Sequence, residues 1–371
     1  MASKWRKKLK RQKNLIRIAL DVSSGDEGLE VNLEAAIYAI SKAKQLEIVL
    51  VGREDEINYY LDRKRFHPPE FSVVDAKDIV AMKDSPVQSV RNRENSIVKG
   101  IELLKNGEVD GFVSIGNTGA IAAAAMIILK KLPSIERTPI LSVFPTIKGH
   151  PIAVLDVGAN VDCKPCQLMQ FAVLGSTYAE LVMERKNPRI ALISIGEEKS
   201  KGNSAVKEAH KLLEKNADKL GINFIGNIEG RDILFGYADV IVCDGFVGNI
   251  LLKYTESIYS LVKTLFKKGR RYSVLSLLGG LLLYPSLKRT IKDFNYAEYG
   301  GAPLLGVNGN VVIGHGSSSV KAIANAILLA QNMALVDLPK ALSKSAEKLK
   351  ELKDESNDFG NRVVPAGKSA Y

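Results

Sequence analysis

Cysteine, tryptophan and histidine are scarce in this sequence: its 371 residues include three Cys, one Trp and four His. Three cysteines cannot supply the disulfide framework of a small secreted domain, and no secretory signal is legible, so we expect a reducing, cytoplasmic setting. Cys163 and Cys166 have the spacing of a redox pair, but no second pair accompanies them to complete a metal site. We therefore interpret both as unpaired thiols.

Several functional signatures are missing. No glycine-rich run has the P-loop spacing, and no predicted strand is followed by G-x-G-x-x-G, which argues against a nucleoside triphosphatase and a Rossmann dehydrogenase. Nothing resembles a zinc finger or an aromatic stacking platform for nucleic acid, so we expect no nucleic-acid partner. The most apolar run, residues 274–284, is too short to span a bilayer.

Acidic residues are absent from two basic stretches. Residues 1–17 and 257–292 each contain eight Lys or Arg and neither Asp nor Glu. Because the whole chain has a formal net charge of only +11, the remainder is mildly acidic. Basicity localised in this way predicts an acidic protein partner or an anionic membrane surface. We divide the chain into a basic disordered arm (1–14), an α/β domain (15–340) and a polar C-terminal tail (341–371).

What the sequence does contain is a repeated pattern of strand, tight turn and helix. It is clearest in residues 238–253, ADVIVCDGFVGNILLK, and it recurs after apolar runs that end near residues 115, 155, 195 and 313. Strands alternating with helices at this spacing predict an α/β fold, a Rossmann-like αβα sandwich with a mostly parallel sheet. A long polar helix over 84–105, a glycine-rich loop over 299–306 and a helix over 317–335 complete the prediction.

The turns that follow these strands collect Gly, Asn, Ser, Thr and Lys. Since the carboxyl ends of parallel strands meet at one edge of a sheet, we expect these residues to line a common crevice, where open α/β sheets bind ligands. Helix N-termini there point free N–H groups outward, and glycine lets a phosphate approach them. The alternative is that small residues merely permit sharp turns and close packing. Five such turns favour an anion site.

Residues 257–292 predict an amphipathic helical hairpin. Leucines lie at its centre and Lys or Arg at its base, as in an interfacial membrane anchor. A dimerisation hairpin, in which Gly279 and Gly280 allow close helix contact, fits equally well, and one hairpin could serve both purposes. Its membrane-facing side chains would be Leu277, Leu278, Leu281 and Leu282. Its candidate contacts for an acidic carrier protein or anionic lipid would be Lys267, Lys268, Arg270 and Arg271; a solvated helix end is the alternative there.

Taken together, seven motifs in order resemble the PlsX family of phosphate acyltransferases, over roughly residues 15–335. They are GNTGA (116–120), LDVGANVDCKP (155–165), GEEKSKGN (196–203), IGNIEGRDI (225–233), CDGFVGNILLK (243–253), YGGAPLLGVNG (299–309) and HGSS (315–318). Each motif is weak alone, but seven in one order are specific.

The resemblance implies a reaction and its partners. Family members transfer a long-chain acyl group from acyl-acyl-carrier protein to inorganic phosphate, giving acyl-phosphate for phospholipid synthesis. It further implies a fold similar to phosphate acetyltransferases and isocitrate dehydrogenase-like proteins, a homodimer, and peripheral membrane association near a membrane glycerol-3-phosphate acyltransferase that uses the product. The reaction requires no cofactor; a Mg²⁺ site at Asp156, Asp162 and Asp244, as in fold relatives, is the alternative.

Lys201 and Asn249 are our candidate catalytic residues, at the positions that match those of the family. Lys201 would place phosphate or the developing oxyanion, and Asn249 would donate to that oxyanion from a helix start. The candidate phosphate-binding residues are Gly116, Asn117, Thr118, Asn160, His315 and Ser317. His315 could also protonate the leaving thiolate, although a structural histidine is the more common situation.

The sequence departs from the family pattern at a few positions. Ser23 and Ser24 replace the Met-Gly of a Met-Gly-Gly-Asp motif, Ile115 replaces a small residue, and Cys166 replaces an acidic residue. The basic arm is an addition. Two other functions also stay open: a short-chain phosphotransacylase that uses acyl-coenzyme A, and a catalytically silent membrane-associated scaffold, toward which the changes at Ser23 and Ser24 are the only hint.

Overall fold

Two sheets made mainly of parallel strands form the centre of the chain in a computed structural model that describes residues 15–269 and 300–361. The strands of the first sheet are β1 (Ile16–Asp21), β2 (Leu46–Gly52), β3 (Phe71–Asp75), β4 (Gly111–Ser114), β10 (Ala302–Leu304) and β11 (Val311–Ile313). They lie in the order β10-β11-β4-β1-β2-β3, and only β10 runs antiparallel to its neighbour.

The second sheet has five strands. They are β5 (Leu141–Phe144), β6 (Ile152–Leu155), β7 (Arg189–Ile193), β8 (Asn223–Ile228) and β9 (Val240–Val242), in the order β5-β6-β9-β7-β8. Only β5 is antiparallel. Beside these edge strands, Ile140 forms an antiparallel bridge with Leu304, and Leu305 N–H donates to the Pro139 carbonyl at 3.0 Å. The two sheets therefore meet edge to edge through β5 and β10.

Helices cover the faces of both sheets. They are α1 (Leu29–Lys42), α2 (Glu54–Lys64), α3 (Pro86–Ser89), α4 (Ser96–Lys105), α5 (Thr118–Ala124, extended by a π turn over Ala125–Leu129), α6 (Pro165–Leu181), α7 (Ser204–Leu220), α8 (Gly245–Gly269), α9 (Val320–Leu335) and α10 (Leu338–Asn361). Among the described residues, one 3₁₀ turn spans Gly230–Asp232.

The strands form where β-branched and aliphatic residues can be buried on both faces. In β1, Ile18 and Leu20 pack into the core beneath α1 and α9, while Ala19 between them packs with Phe112 into the core on the opposite face. Successive side chains of a strand point to opposite faces, so an almost continuous apolar run is what a doubly covered strand requires. The predicted α/β sandwich with mostly parallel strands is confirmed.

The long polar helix predicted over 84–105 was wrong. The chain forms the short α3 and then α4, which begins only at Ser96 because Asn95 caps it: the Asn95 side chain accepts from Val98 N–H at 2.8 Å. An asparagine that binds its own backbone competes with helix continuation, and polar periodicity alone does not reveal this.

Three further boundaries differ from the predictions. The glycine-rich loop over 299–306 contains the short strand β10, and the helix predicted from Ser317 begins at Val320, after the cap residue Ser319. Residues 338–361 form α10, with Leu342, Ala346 and Leu349 buried, so the domain boundary predicted at residue 340 falls inside this helix. The end of the chain thus contributes to the core up to Leu349.

The basic arm over 1–14 and most of the predicted hairpin lie outside the described residues. The structure shows α8 as far as Gly269, while the side chains of Lys267 and Lys268, and all of Arg270, Arg271, Leu277, Leu278, Leu281 and Leu282, are outside the description. Within the described ranges, no single helix is long and apolar enough to cross a membrane. The bent pair formed by Val320–Leu335 and Leu338–Leu352 meets the length and composition requirements together.

Candidate active site

A cavity of about 320 Å³ lies where the two sheets meet. Helices α5, α8 and α9, strands β5, β10 and β11, and the turn after β6 all contribute to its wall. The lining residues are Thr118, Ile140, Ser142, Val143, Val157, Gly158, Asn249, Leu252, Lys253, Glu256, Gly301, Ala302, Ile313, Gly314, His315, Ser318 and Ala322. Most of the surface that this wall exposes is apolar, and seven polar or charged side chains lie among its aliphatic ones, as in sites that hold an apolar ligand in one orientation.

Helix α8 presents one face to this cavity. Asn249, Leu252, Lys253 and Glu256 occupy positions i, i+3, i+4 and i+7 of one helix face, and all of them line the cavity. Lys253 Nζ pairs with Glu256 at 3.0 Å on the cavity wall. Asn249 was predicted from the sequence as a site residue, whereas Leu252, Lys253 and Glu256 were not. Their helical spacing from Asn249 was the signal that could have identified them.

Gly248 allows α8 to approach the turn after β6 closely. A Cβ at Gly248 would lie 1.8 Å from the Asp156 carbonyl oxygen, so no other residue fits there without moving the backbone. Across the gap, Gly158 has φ +143°, and a Cβ on it would lie 3.7 Å from Asn249 Oδ1. The Asn249 side chain therefore lies directly beside the 156–160 turn.

Asp156 organises that turn. Its side chain is fully buried and accepts five hydrogen bonds of 2.7–3.1 Å, from the N–H groups of Ile140, Gly158, Ala159 and Asn160 and from the Asn160 side-chain amide. Burial raises the pKa of Asp156, while the donors oppose that shift. Every neighbour that bonds this carboxylate is a donor, an arrangement that suits the ionised form.

Two asparagines predicted to bind phosphate use their amides to hold the protein itself. The Asn160 amide nitrogen donates to the Thr138 carbonyl at 3.0 Å and to Asp156 Oδ2 at 2.8 Å. The Asn117 side chain caps α5 by accepting from Ala120 N–H, and its nitrogen lies 3.0–3.2 Å from three carbonyl oxygens of residues 81–84. Neither side chain lines the cavity. Both fix turns that do border it.

The Gly116 turn is tied to a second buried carboxylate. Gly116 N–H donates to Ser114 Oγ at 3.1 Å, and that hydroxyl donates to Asp21 Oδ2 at 2.7 Å. Burial raises the pKa of Asp21, which ends β1 and is fully buried. A Cβ at Gly116 would lie 2.8 Å from Ser24 Oγ, so close packing alone demands a glycine there. Gly116 does not line the cavity, but it fixes the turn that leads to Thr118, which does.

His315 reaches the cavity from the end of β11. Its Nδ1 accepts a hydrogen bond from Ser317 N–H at 3.3 Å and lies 2.9 Å from Ser317 Oγ. Because a backbone N–H can only donate, Nδ1 is the acceptor, and the proton of the neutral ring resides on Nε2. Ser317 thus orients His315, while Ser318 lines the cavity in its place.

Lys201 stands apart from this group. It lies in the exposed loop between β7 and α7 and does not line the cavity. The same loop carries Lys199, whose ammonium pairs with Glu214, whereas no described side chain forms an ion pair with Lys201. The structure therefore brings Thr118, Asn249 and His315 together and leaves Lys201 as an unpaired charge on a neighbouring loop.

Three more titratable groups near the turn after β6 are Asp244, Cys163 and Cys166. Asp244 accepts from Val247 N–H at 2.8 Å at the start of α8. Burial, reinforced by the charges of Asp156 and Asp244, raises the pKa of the Cys163 thiol to about 12. Neither Cys163 nor Cys166 forms a disulfide bond within the described residues. Within the described ranges, no group of three or more His, Cys, Asp or Glu side chains could hold a metal ion.

Comparison with known proteins gives consistent matches over nearly the whole chain. A family described as "Fatty acid synthesis protein" matches residues 16–340. A phosphate acyltransferase from Thermodesulfovibrio yellowstonii is 43% identical over 350 residues, covering 94% of this chain and 99% of the relative. One from Dictyoglomus turgidum is 42% identical over 340 residues, covering 91% of this chain and all of the relative (100%).

Solved structures of lower identity share the fold. The EutD phosphotransacetylase from Staphylococcus aureus superposes with a TM-score of 0.58 at 18% identity, covering 92% of this chain and 99% of its own. A phosphotransacetylase from Streptococcus pyogenes gives a TM-score of 0.57 at 20% identity, with 90% and 99% covered. These likenesses show the architecture, which agrees with the two-sheet arrangement described above.

Proposed function

This chain belongs to the fatty acid synthesis protein family and is a phosphate acyltransferase of lipid biosynthesis; from that premise we propose that it transfers a long-chain acyl group from acyl-acyl-carrier protein to inorganic phosphate, releasing acyl-phosphate. The observation that carries the proposal is the position of Asn249, which lines a cavity whose exposed surface is mainly apolar. A thioester that carries a hydrocarbon chain requires both features at one place.

The aliphatic wall supports an acyl ligand. Ile140, Val143, Val157, Ile313 and Ala322 line the cavity and are themselves almost completely buried, so their positions are set by the core behind them. Burying hydrocarbon against such a wall contributes roughly 0.8 kcal/mol per methylene. A longer acyl chain therefore gains affinity as long as the cavity continues to enclose it.

Two polar elements support the chemistry. In the proposed reaction a phosphate oxygen attacks the thioester carbon, the carbonyl oxygen becomes an oxyanion, and the carbon–sulfur bond then breaks to release the carrier thiolate. Asn249 would donate to the oxyanion, and the ring Nε2–H of His315, oriented by Ser317, would donate a hydrogen bond to the departing sulfur. The proton that hydrogenphosphate loses on forming acyl-phosphate ends on this sulfur, which leaves as the carrier thiol. No covalent enzyme intermediate is required, because phosphate is itself the nucleophile.

Phosphate needs positive charge close to this carbonyl. Lys201 is our proposed source, because it is free of ion pairs among the described residues while the neighbouring Lys199 is paired with Glu214. Lys253, on the cavity wall, is held by Glu256. The backbone N–H groups at the start of α5, next to Thr118, would add neutral donors.

The exposed side of α8 supports the proposed partners. Phe246, Ile250 and Tyr254, each one helical turn apart, are all more than half exposed, at 59%, 52% and 65%. This apolar stripe continues along the helix toward the predicted basic hairpin. A homodimer interface and an anionic membrane surface, with the carrier protein docking on the basic residues, are the partners we propose for this region.

The test is acyl-phosphate formation from palmitoyl-acyl-carrier protein and phosphate, trapped with hydroxylamine, with acetyl-coenzyme A run in parallel. We expect product from the carrier substrate alone, and a roughly 10²- to 10³-fold lower kcat for Asn249→Ala and for Lys201→Ala, the loss typical of one oxyanion donor. The melting temperature of each variant should stay close to that of the parent protein.

A matched control is Asn216→Ala, since among the described residues that amide donates to the Leu212 carbonyl on α7 alone, at 2.8 Å. It should leave kcat unchanged. Product from acetyl-coenzyme A alone would replace the proposal with a short-chain phosphotransacylase. Product from neither substrate would favour a silent scaffold.

A further inference from the structure

The exposed loop that carries Lys201 is held from below by a buried polar pair. Asn227, at the end of β8, is 6% exposed, and His210, on α7, is 3% exposed. Asn227 Oδ1 lies 2.9 Å from His210 Nδ1, and Asn227 Nδ2 donates to the Glu198 carbonyl at 3.1 Å. That carbonyl also accepts from Lys201 N–H at 2.9 Å. One buried side chain therefore reaches the turn in which Lys201 is fixed.

The hydrogen-bond directions in this pair are determined. Since the Glu198 carbonyl can only accept, the Asn227 nitrogen must face it, and Asn227 Oδ1 must face His210. The His210 Nδ1 then carries the hydrogen. The ring is held in this orientation by an edge-to-face contact with Phe224, at 5.2 Å between centroids and 75° between planes. Flipping the amide would oppose two carbonyl oxygens, so only one arrangement satisfies both partners.

Glycines adapt the loop to this anchor. A Cβ at Gly196 would lie 2.9 Å from Lys201 Cγ, so the stem of the lysine packs directly over Gly196. Gly202 has φ +102°, a conformation that favours glycine, and a Cβ there would lie 2.8 Å from Ser194 Oγ. The loop then enters α7 through Asn203, whose side chain accepts from Val206 N–H at 2.9 Å. The backbone on both sides of Lys201 is thus fixed.

We infer that Asn227, oriented by His210, is a positioning residue for Lys201: it sets the place from which the free ammonium meets phosphate. This inference rests on the proposed role of Lys201. Burying two polar side chains costs free energy unless both form hydrogen bonds. A buried asparagine–histidine pair beneath an exposed loop is therefore expected where the position of a loop residue, here Lys201, must be fixed. Here His210 donates to the Asn227 side-chain oxygen, and the Asn227 nitrogen donates to the Glu198 carbonyl in the Lys201 turn.

The experiment is a double-mutant cycle between Asn227 and Lys201, read as kcat for acyl-phosphate formation. Asn227→Ala should lower kcat roughly 10- to 100-fold in the parent protein, the size of effect that a small misplacement of a reacting group produces. In the Lys201→Ala background, the same substitution should cause no further loss. Asn227→Asp, which keeps the acceptor for His210 but loses the donor to Glu198, should behave like Asn227→Ala.

Asn216→Ala serves as the control in both backgrounds, because its amide belongs to α7 but does not reach the loop. Equal losses from Asn227→Ala in both backgrounds would overturn the inference and leave the proposed function intact. An unchanged kcat for Lys201→Ala alone would overturn the role of Lys201 and this inference with it. The melting temperature of each variant separates a displaced loop from a damaged fold.

Discussion

Each sheet ends one of its inner strands with a fully buried aspartate, and the two carboxylates are satisfied in different ways. Asp156 follows β6 and accepts five N–H hydrogen bonds from residues 140 and 158–160. Asp21 ends β1 and accepts from the Ser114 hydroxyl at 2.7 Å and from Ser23 N–H at 3.2 Å. Burial raises the pKa of both groups.

The difference lies in what the partners can do. N–H groups can only donate, so the shell around Asp156 favours a carboxylate and fixes the turn against which Asn249 rests. Hydroxyls both donate and accept, so the shell around Asp21 can suit a neutral carboxyl as well. We therefore expect the turn after β6 to require an ionised Asp156, and the loop after β1 to accept Asp21 in either protonation state.

Asp156→Asn should produce the larger effect of the two matched substitutions. The amide nitrogen would face N–H groups that now donate to a carboxylate oxygen, leaving at least one buried donor without an acceptor, at a cost of about 3 kcal/mol. Urea unfolding measures this loss, and kcat should fall as the turn beneath Asn249 shifts. A change below about 1 kcal/mol would show that the turn reorganises easily and that the contrast with Asp21 does not exist.

Asp21→Asn should be nearly neutral near the pH at which Asp21 is protonated, because an amide mimics the neutral carboxyl. In the parent protein the raised folded-state pKa of Asp21 makes stability fall as pH rises above the ordinary value of 3.8, since the unfolded chain releases its proton first. The stability of the variant relative to the parent should therefore increase from pH 3.8 upward and level off above the raised pKa. A relative stability that decreases with pH would contradict the raised pKa.

The smallest effect is expected at Ser23, one of the two departures from the family motif. Its Oγ is buried and has no hydrogen-bond partner among the described residues. Ser23→Ala removes this hydroxyl, so the free energy of unfolding should stay the same or increase by up to about 1 kcal/mol. A decrease in the free energy of unfolding of more than about 1 kcal/mol, measured by the same urea titration, would mean that the hydroxyl forms a hydrogen bond in solution. The loop after β1 would then depend on specific hydrogen bonds, as the turn after β6 does.

The strands were predictable because their signal is local. Runs such as Val240–Val242 are apolar and β-branched, which identifies a strand covered on both faces without knowledge of its neighbours. Strand β10 was missed because three residues that include Pro303, within a glycine-rich stretch, carry no such signal. The break before α4 was missed because it depends on a single side chain, Asn95, that binds the backbone of the following turn.

Within the site, residue type was easier to predict than geometry. Asn249, Thr118 and His315 do line one cavity. The sequence does not reveal that the amides of Asn117 and Asn160 bind backbone carbonyls of the protein itself. An asparagine in a turn gives the same sequence pattern whether its side chain binds a ligand or a carbonyl group. The aliphatic wall was also missed, since residues such as Ile140 and Ala322 are far apart in the chain and meet only through the junction of the sheets.

That junction has a further consequence, for how the protein avoids aggregation. An edge strand exposes unpaired N–H and C=O groups that can recruit a strand from another chain. Here β10 and β5 are the antiparallel edge strands of their sheets, and the bridge between Ile140 and Leu304 turns each toward the other, leaving β3 and β8 as the outer strands. The junction that forms the cavity wall therefore also covers these two strand edges, because the backbone groups that join β5 and β10 are no longer open to self-association.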